Sequence, residues 1–327
     1  MHPEATVIPP HGTIGVFDSG FGGLTVLRAL LPRLPGTHFL YLGDTARLPY
    51  GAKSQATVAR YAVESAHFLV AKGARLLVIA CNTATALALP EIRAAVPVPV
   101  IGVVEPGAQA ALAAASSQST SQTVISTEAK RSGETRVFKA RAEGTSLPSA
   151  TQPNILVLAT AATVASHAYR DTCASLGLHA AEMPCPLLVP LVEEGWTDHP
   201  VTRDVLRIYL TEALAATTPD AVVLGCTHYP LIAPAITQTL RDLGCHAPVV
   251  DSAEATAHAT QLALNPGALQ RAGALPLPAF SMQGIASAET PATFTCYATD
   301  SIDKFARLGS HFLGQPIPHV HLLDLGG

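Results

Sequence analysis

Two cysteines stand in matching surroundings. The run "LLVIACNTATA" (76–86) reads as a buried strand that ends at Cys81, with a helix-forming stretch directly behind it. The stretch "DAVVLGCTHYPLIAPAI", from Asp220, repeats the arrangement around Cys226. One such cysteine alone reads as a small buried hydrophobe. At a strand end before a helix, however, a thiol meets exposed N–H groups and positive potential, which lower its pKa from about 8.5 and favour thiolate. Thr83 and Thr227 add hydroxyl donors beside each thiol, and the same peptide groups accept a carboxylate. A single activated cysteine would act as a covalent nucleophile next to a histidine. Two in matched positions suit a different chemistry, in which one takes a proton from one face of a carbon and the other returns a proton to the opposite face.

Other polar residues fall at strand ends and fit an amino-acid ligand. Asp18 and Ser19 lie in the turn "FDSGFGG", whose Gly20, Gly22 and Gly23 let backbone approach a ligand closely. Asp18 is placed to hold an ammonium group or to orient the Cys81 thiol, and His228 to do the same for Cys226. For a lone Asp or His, an ordinary cap or a satisfied core polar group is the favoured reading. The same turn, with Asp44 after the next strand, partly imitates a dinucleotide-binding fingerprint. Thr25 occupies the place of its final glycine, so that match is incomplete.

The elements that must carry these residues alternate. "TIGVFDSG" precedes "LTVLRALLP", "THFLYLGD" precedes a helix over 54–72, and "ARLLVIACN" precedes "TALALPEIRAA". Short buried strands followed by amphipathic helices predict parallel sheet built of βαβ units. In the 54–72 helix, Val58, Tyr61, Ala62, Ser65, Phe68 and Leu69 form a core-facing stripe. "TIGVFDSGFGGLTVLRAL" has a counterpart in "NILVLATAATVASHAYRD", with the strand ending near Thr160. Two similar α/β halves, each with a cysteine at a strand C-terminus, then face each other across a cleft, where open α/β sheets bind ligands. Residues 116–153, rich in Ser, Thr and charge, read as a flexible surface insertion between the halves.

Composition narrows the partners. With 20 basic and 24 acidic residues, a formal charge of -4 and no basic block, neither nucleic acid nor an anionic membrane is expected as the main partner. No apolar run spans a bilayer and "MHPEATVIPPHG" has no signal-peptide pattern, so a cytoplasmic protein is expected. The six cysteines form no CxxC pair, which fits that compartment and argues against zinc or disulfide staples.

The motifs "GVFDSGFGGLTV" (15–26), "YLGDTARLPYG" (41–51), "ACNTATA" (80–86), "GVVEPG" (102–107), "CPLLVPLVEEG" (185–195) and "LGCTHYPLI" (224–232) together resemble the glutamate racemases of the aspartate/glutamate racemase superfamily. The resemblance implies an α/β fold of two pseudo-symmetric parallel-sheet domains with the active site between them. It implies a first domain of residues 12–106 plus 251–327 and a second of 107–250. It also implies racemisation of glutamate by two cysteine bases without cofactor or metal, supplying D-glutamate for peptidoglycan, in a homodimer. Cys81 would deprotonate D-glutamate and Cys226 L-glutamate, assisted by Asp18 and His228, with Glu193 near the second thiol. Asp18, Ser19, Pro49, Tyr50, Gly51, Asn82, Thr83, Thr163, Thr227 and His228 would bind or position substrate. The segment 116–153 departs from the family's short link. A racemase for aspartate or another amino acid, and a non-catalytic amino-acid-binding protein of the same fold, remain the alternatives.

Overall fold

The computed structural model describes residues 12–128, 152–264 and 290–325. Every strand pairing in it is parallel. The first half alternates β1 (Thr13–Asp18), α1 (Leu24–Leu30), β2 (His38–Gly43), α2 (Gln55–Ala71), β3 (Ala74–Ile79), α3 (Asn82–Ala95) and β4 (Val100–Gly102). The long α4 (Val104–Glu128) leads away from it. The second half runs β5 (Asn154–Ala159), α5 (Ala161–Ser166), α6 (Ala168–Ser175), β6 (His179–Pro184), α7 (Leu188–Glu193), α8 (Pro200–Ala216), β7 (Ala221–Gly225), α9 (Ala233–Asp242) and β8 (Val249–Asp251). After α10 (Ser252–Ala263), the chain returns through β9 (Thr293–Ala298), α11 (Ile302–Leu313) and β10 (Val320–Leu322).

The sheet orders make the expected two-fold likeness concrete. The first sheet is β10-β9-β2-β1-β3-β4 and the second is β6-β5-β7-β8. Without the two added edge strands, both follow the same sequence of second, first, third and fourth strand. The cysteine of each half follows the third strand, beside the central first one. β1 is buried along its whole length, as are β5 beyond Asn154 and all of β7, which is why these strands read as continuous apolar runs instead of alternating ones.

Local chemistry sets the helix bounds near the site. Ser54 caps α2, its hydroxyl accepting from the Thr57 N–H at 3.4 Å. The stripe on α2 faces inward at Val58, Ala62, Ser65 and Leu69, joined by Ala66, while Tyr61 and Phe68 are half-buried at its margin. α3 starts immediately after Cys81, whose sulfur accepts from the Ala84 N–H at 3.4 Å and caps it. A single apolar cluster runs through both halves, from Val16 and Phe39 to Leu158 and Val222, with Ala253 and Ala257 of α10 between. Segment 116–153 begins inside a continuous helix, since α4 extends to Glu128; residues 129–151 lie outside the described part.

Candidate active site

The C-terminal ends of the two sheets face one cavity of about 410 Å³. Its wall takes Ser19 and Gly20 from the turn after β1, and Pro49, Tyr50 and Gly51 from the loop before α2. Cys81, Asn82 and Thr83 come from the start of α3, Glu193 from α7, and Cys226, Thr227 and His228 from the turn after β7. Both thiols therefore reach the same space although each is only 5% exposed. A larger hollow, about 840 Å³, lies elsewhere on the second half around Thr217, Asp220 and Cys245. It holds neither thiol of the pair, so the smaller cavity is the one with chemistry.

The two thiols have different neighbours. Cys81 Sγ donates to Ser19 Oγ at 3.5 Å, and burial, reinforced by the nearby Asp18 carboxylate, pushes it up to about 12. That reverses the expectation of a lowered thiol: the helix N-terminus does contribute through Ala84, but desolvation outweighs it. Beside Cys226, His228 Nδ1 stands 3.9 Å from the sulfur and Nε2 3.0 Å from Glu193 Oε1. Burial alone would push the imidazolium down; Cys226 and Glu193 outweigh it and lift His228 to about 10. Burial likewise works against the Glu193 carboxylate, but His228 prevails and holds it below its usual range.

Two expected contact residues stand behind the cavity wall. Asp18 is 1% exposed; its Oδ2 accepts from the Gly20 N–H at 2.8 Å, while the buried Oδ1 has no hydrogen-bond partner. Burial raises its pKa. Thr163 is fully buried and touches the site through others: its hydroxyl, with those of Thr83 and Thr160, forms a triangle with edges of 3.0, 3.0 and 3.3 Å. Thr160 lines the cavity and was not expected to. The signal was present, because Thr160 follows β5 as Ser19 follows β1 and caps α5 through the Thr163 N–H. Leu48, Pro186 and, on α7, Val189 also line the cavity, and an apolar residue in a loop or short helix carries no sign that it will do so.

Several side chains near the wall are committed to structure. Tyr50 Oη donates to Asp44 at 2.5 Å. Asp44 also accepts from Arg47 Nε at 2.8 Å and Thr299 Oγ1 at 3.0 Å, so this fully buried carboxylate is a hub for the loop and not a ribose ligand. Tyr169 Oη of the second half donates to Asn82 Oδ1 at 2.7 Å. Thr25 Oγ1 of the first half donates to the Thr227 carbonyl at 3.1 Å. Each half thus grips the cysteine turn of the other. Among the described residues, no group of three or more His, Cys, Asp or Glu side chains could hold a metal ion, and no helix is long and apolar enough to cross a membrane.

The Asp/Glu/Hydantoin racemase family model matches residues 24–148 and 145–260. A glutamate racemase of Koribacter versatilis is 47% identical over 96% of this chain and 98% of its own. The crystal structure of the Thermus thermophilus glutamate racemase with beta-chloro-D-alanine matches at 36% identity and a TM-score of 0.69, covering 97% of this chain and 99% of that one. The Francisella tularensis glutamate racemase, crystallised with D-glutamate, matches at 27% identity and a TM-score of 0.72, covering 97% and 98%.

Proposed function

Since the chain belongs to the Asp/Glu/Hydantoin racemase family, we propose that it interconverts L- and D-glutamate with Cys81 and Cys226 as its two bases. The observation that carries this reading is the pair of thiols at equivalent strand ends of two like-ordered sheets, both lining one cavity. Cys81 removes the Cα proton of D-glutamate, and Cys226 returns a proton to the opposite face; L-glutamate runs the same path in reverse. His228, protonated at neutral pH, gives its proton to the Cys226 thiolate and, once neutral, takes one back, while Glu193 holds its far nitrogen. Before Cys81 can act as base its own proton must leave, and Asp18, a carboxylate that burial raises and so makes a better proton acceptor, takes it from behind the wall. Ser19, Asn82, Thr83, Thr227 and the Pro49–Tyr50–Gly51 loop receive the ligand's carboxylates and ammonium, with Thr163 holding Thr83 in place. The two domains are residues 12–106 plus 251–327 and residues 107–250. The product serves peptidoglycan synthesis in the cytoplasm, and the enzyme works as a homodimer.

The test is incubation with L-glutamate in heavy water, without added cofactor and with a chelator, followed by chiral analysis and Cα deuterium content. D-Glutamate carrying solvent deuterium is expected, and Cys81→Ser or Cys226→Ser abolishes its formation. Turnover of aspartate but not glutamate would overturn the substrate assignment. Full activity in either serine variant would overturn the two-base reading.

A further inference from the structure

His228 has two polar neighbours and two that are not. Beyond Cys226 and Glu193, the ring of Phe312 on α11 meets the imidazole at 5.0 Å between centroids and 77° between planes. Gly22, after β1, closes the space further: a Cβ there would lie 2.6 Å from His228 Nδ1, 2.7 Å from its Cε1 and 2.2 Å from Thr227 Oγ1. Both neighbours belong to the elements of the first sheet, whereas His228 follows β7 of the second. Phe312 is fully buried and Gly22 is also buried, and neither lines the cavity.

We propose that Phe312 and Gly22 are positioning residues for proton transfer at Cys226: they confine the His228 ring so that Nδ1 faces the sulfur. The inference rests on the racemase reading above. The sulfur contact, at 3.9 Å, is long, so a displacement of roughly half an ångström is enough to end it, and misplacements of that order carry large rate penalties. The two hydrogen-bonding nitrogens define an axis about which the ring could still swing, and the packing of Phe312 and Gly22 limits that swing.

This arrangement has a signature that a merely structural role lacks. Enantiomers have equal free energy, so any variant must lower kcat/KM for both by the same factor, and rates alone cannot say which thiol is affected. Primary isotope effects can. If the Cys226 step becomes the slow one, removal of the Cα proton from L-glutamate limits its turnover, and Cα-deuterated L-glutamate shows a larger isotope effect. From D-glutamate, the Cys81 step becomes reversible ahead of the slow protonation by Cys226, and the effect of Cα deuterium shrinks toward the smaller equilibrium value for moving deuterium from carbon to sulfur. A variant that only reduces the folded fraction leaves both effects where they were.

The experiment compares Phe312→Leu and Gly22→Ala with the wild type, using both enantiomers with and without Cα deuterium. The expected result is a fall in kcat/KM on the order of tenfold to a hundredfold, with the isotope effect rising for L-glutamate and falling for D-glutamate. The two variants disturb the ring from different elements, so Gly22→Ala decides if Phe312→Leu does not fold. Isotope effects that stay at wild-type values, or that move in the reverse sense, overturn the inference. A wild type silent on both enantiomers overturns the underlying reading as well, and is told apart because it shows before any variant is made.

Discussion

The cavity is electrostatically lopsided at the level of single residues. On one side Cys81 is held as a neutral thiol by burial; on the other an imidazolium and a carboxylate face each other at 3.0 Å. With Cys81 pushed up to about 12, its alkylation by iodoacetamide in the ligand-free protein is expected to keep accelerating well above neutral pH. Mass spectrometry of the labelled peptide checks this; a rate that levels off near pH 8 would show a thiol that burial has not raised. The His228–Glu193 pair has its own pH signature. His228 is raised from 6.5 to about 10, so its contribution to stability is complete below pH 6.5 and is lost as pH rises through about 10. Glu193 is lowered from 4.5, so its contribution is present above that value and lost as pH falls below it. Glu193→Gln should therefore cost about 1–3 kcal/mol between pH 4.5 and 6.5, and progressively less as pH rises toward 10, as read by urea denaturation at a series of pH values.

At the level of elements, Cys81 has a structural place beside its proposed role as a base, since its sulfur caps α3. Cys81→Ser retains an acceptor at that place and Cys81→Ala does not. Both variants are expected to be inactive, with the alanine variant less stable by about 1 kcal/mol; equal stability by chemical denaturation would show that the cap contributes nothing. Much of this was legible in the sequence. Strands, their burial and both cysteine turns follow from apolar runs that stop abruptly at small or polar residues, and the α2 stripe from its spacing. The shared strand order was foreshadowed by the likeness of 13–30 to 154–171. What sequence could not supply was partnership at long range. Asp18 was expected at the ligand from its glycine turn and Thr163 from the family resemblance. Only the packing of the glycine turn and of α5 shows them set back behind the wall. The sign of the Cys81 shift was hidden for the same reason, because the helix N-terminus is local and the burial that outweighs it is tertiary.

For the whole molecule, the links between halves matter as much as the halves. Tyr169 reaches across to Asn82, and Thr25 to the turn that holds Cys226. Tyr169→Phe removes one such link with little change of shape. It should lower kcat/KM on the order of tenfold through misplacement of α3 and cost about 1 kcal/mol of stability. Steady-state kinetics with both enantiomers, beside a urea titration, tests both, and unchanged kinetics would reduce the bond to packing. The first sheet has a further property. Its β2 pairs with β9 along the whole of His38–Gly43, against residues Thr293–Ala298, whereas the second sheet is drawn from one continuous stretch, Asn154–Asp251. During synthesis the second sheet can therefore assemble while the first still lacks a flank. Until residues 293–322 leave the ribosome, β2 is a bare, apolar edge open to the wrong neighbour. A ribosome stalled shortly before that point would release a chain with both cysteine turns made, one sheet unfinished, and α11 missing from beside His228.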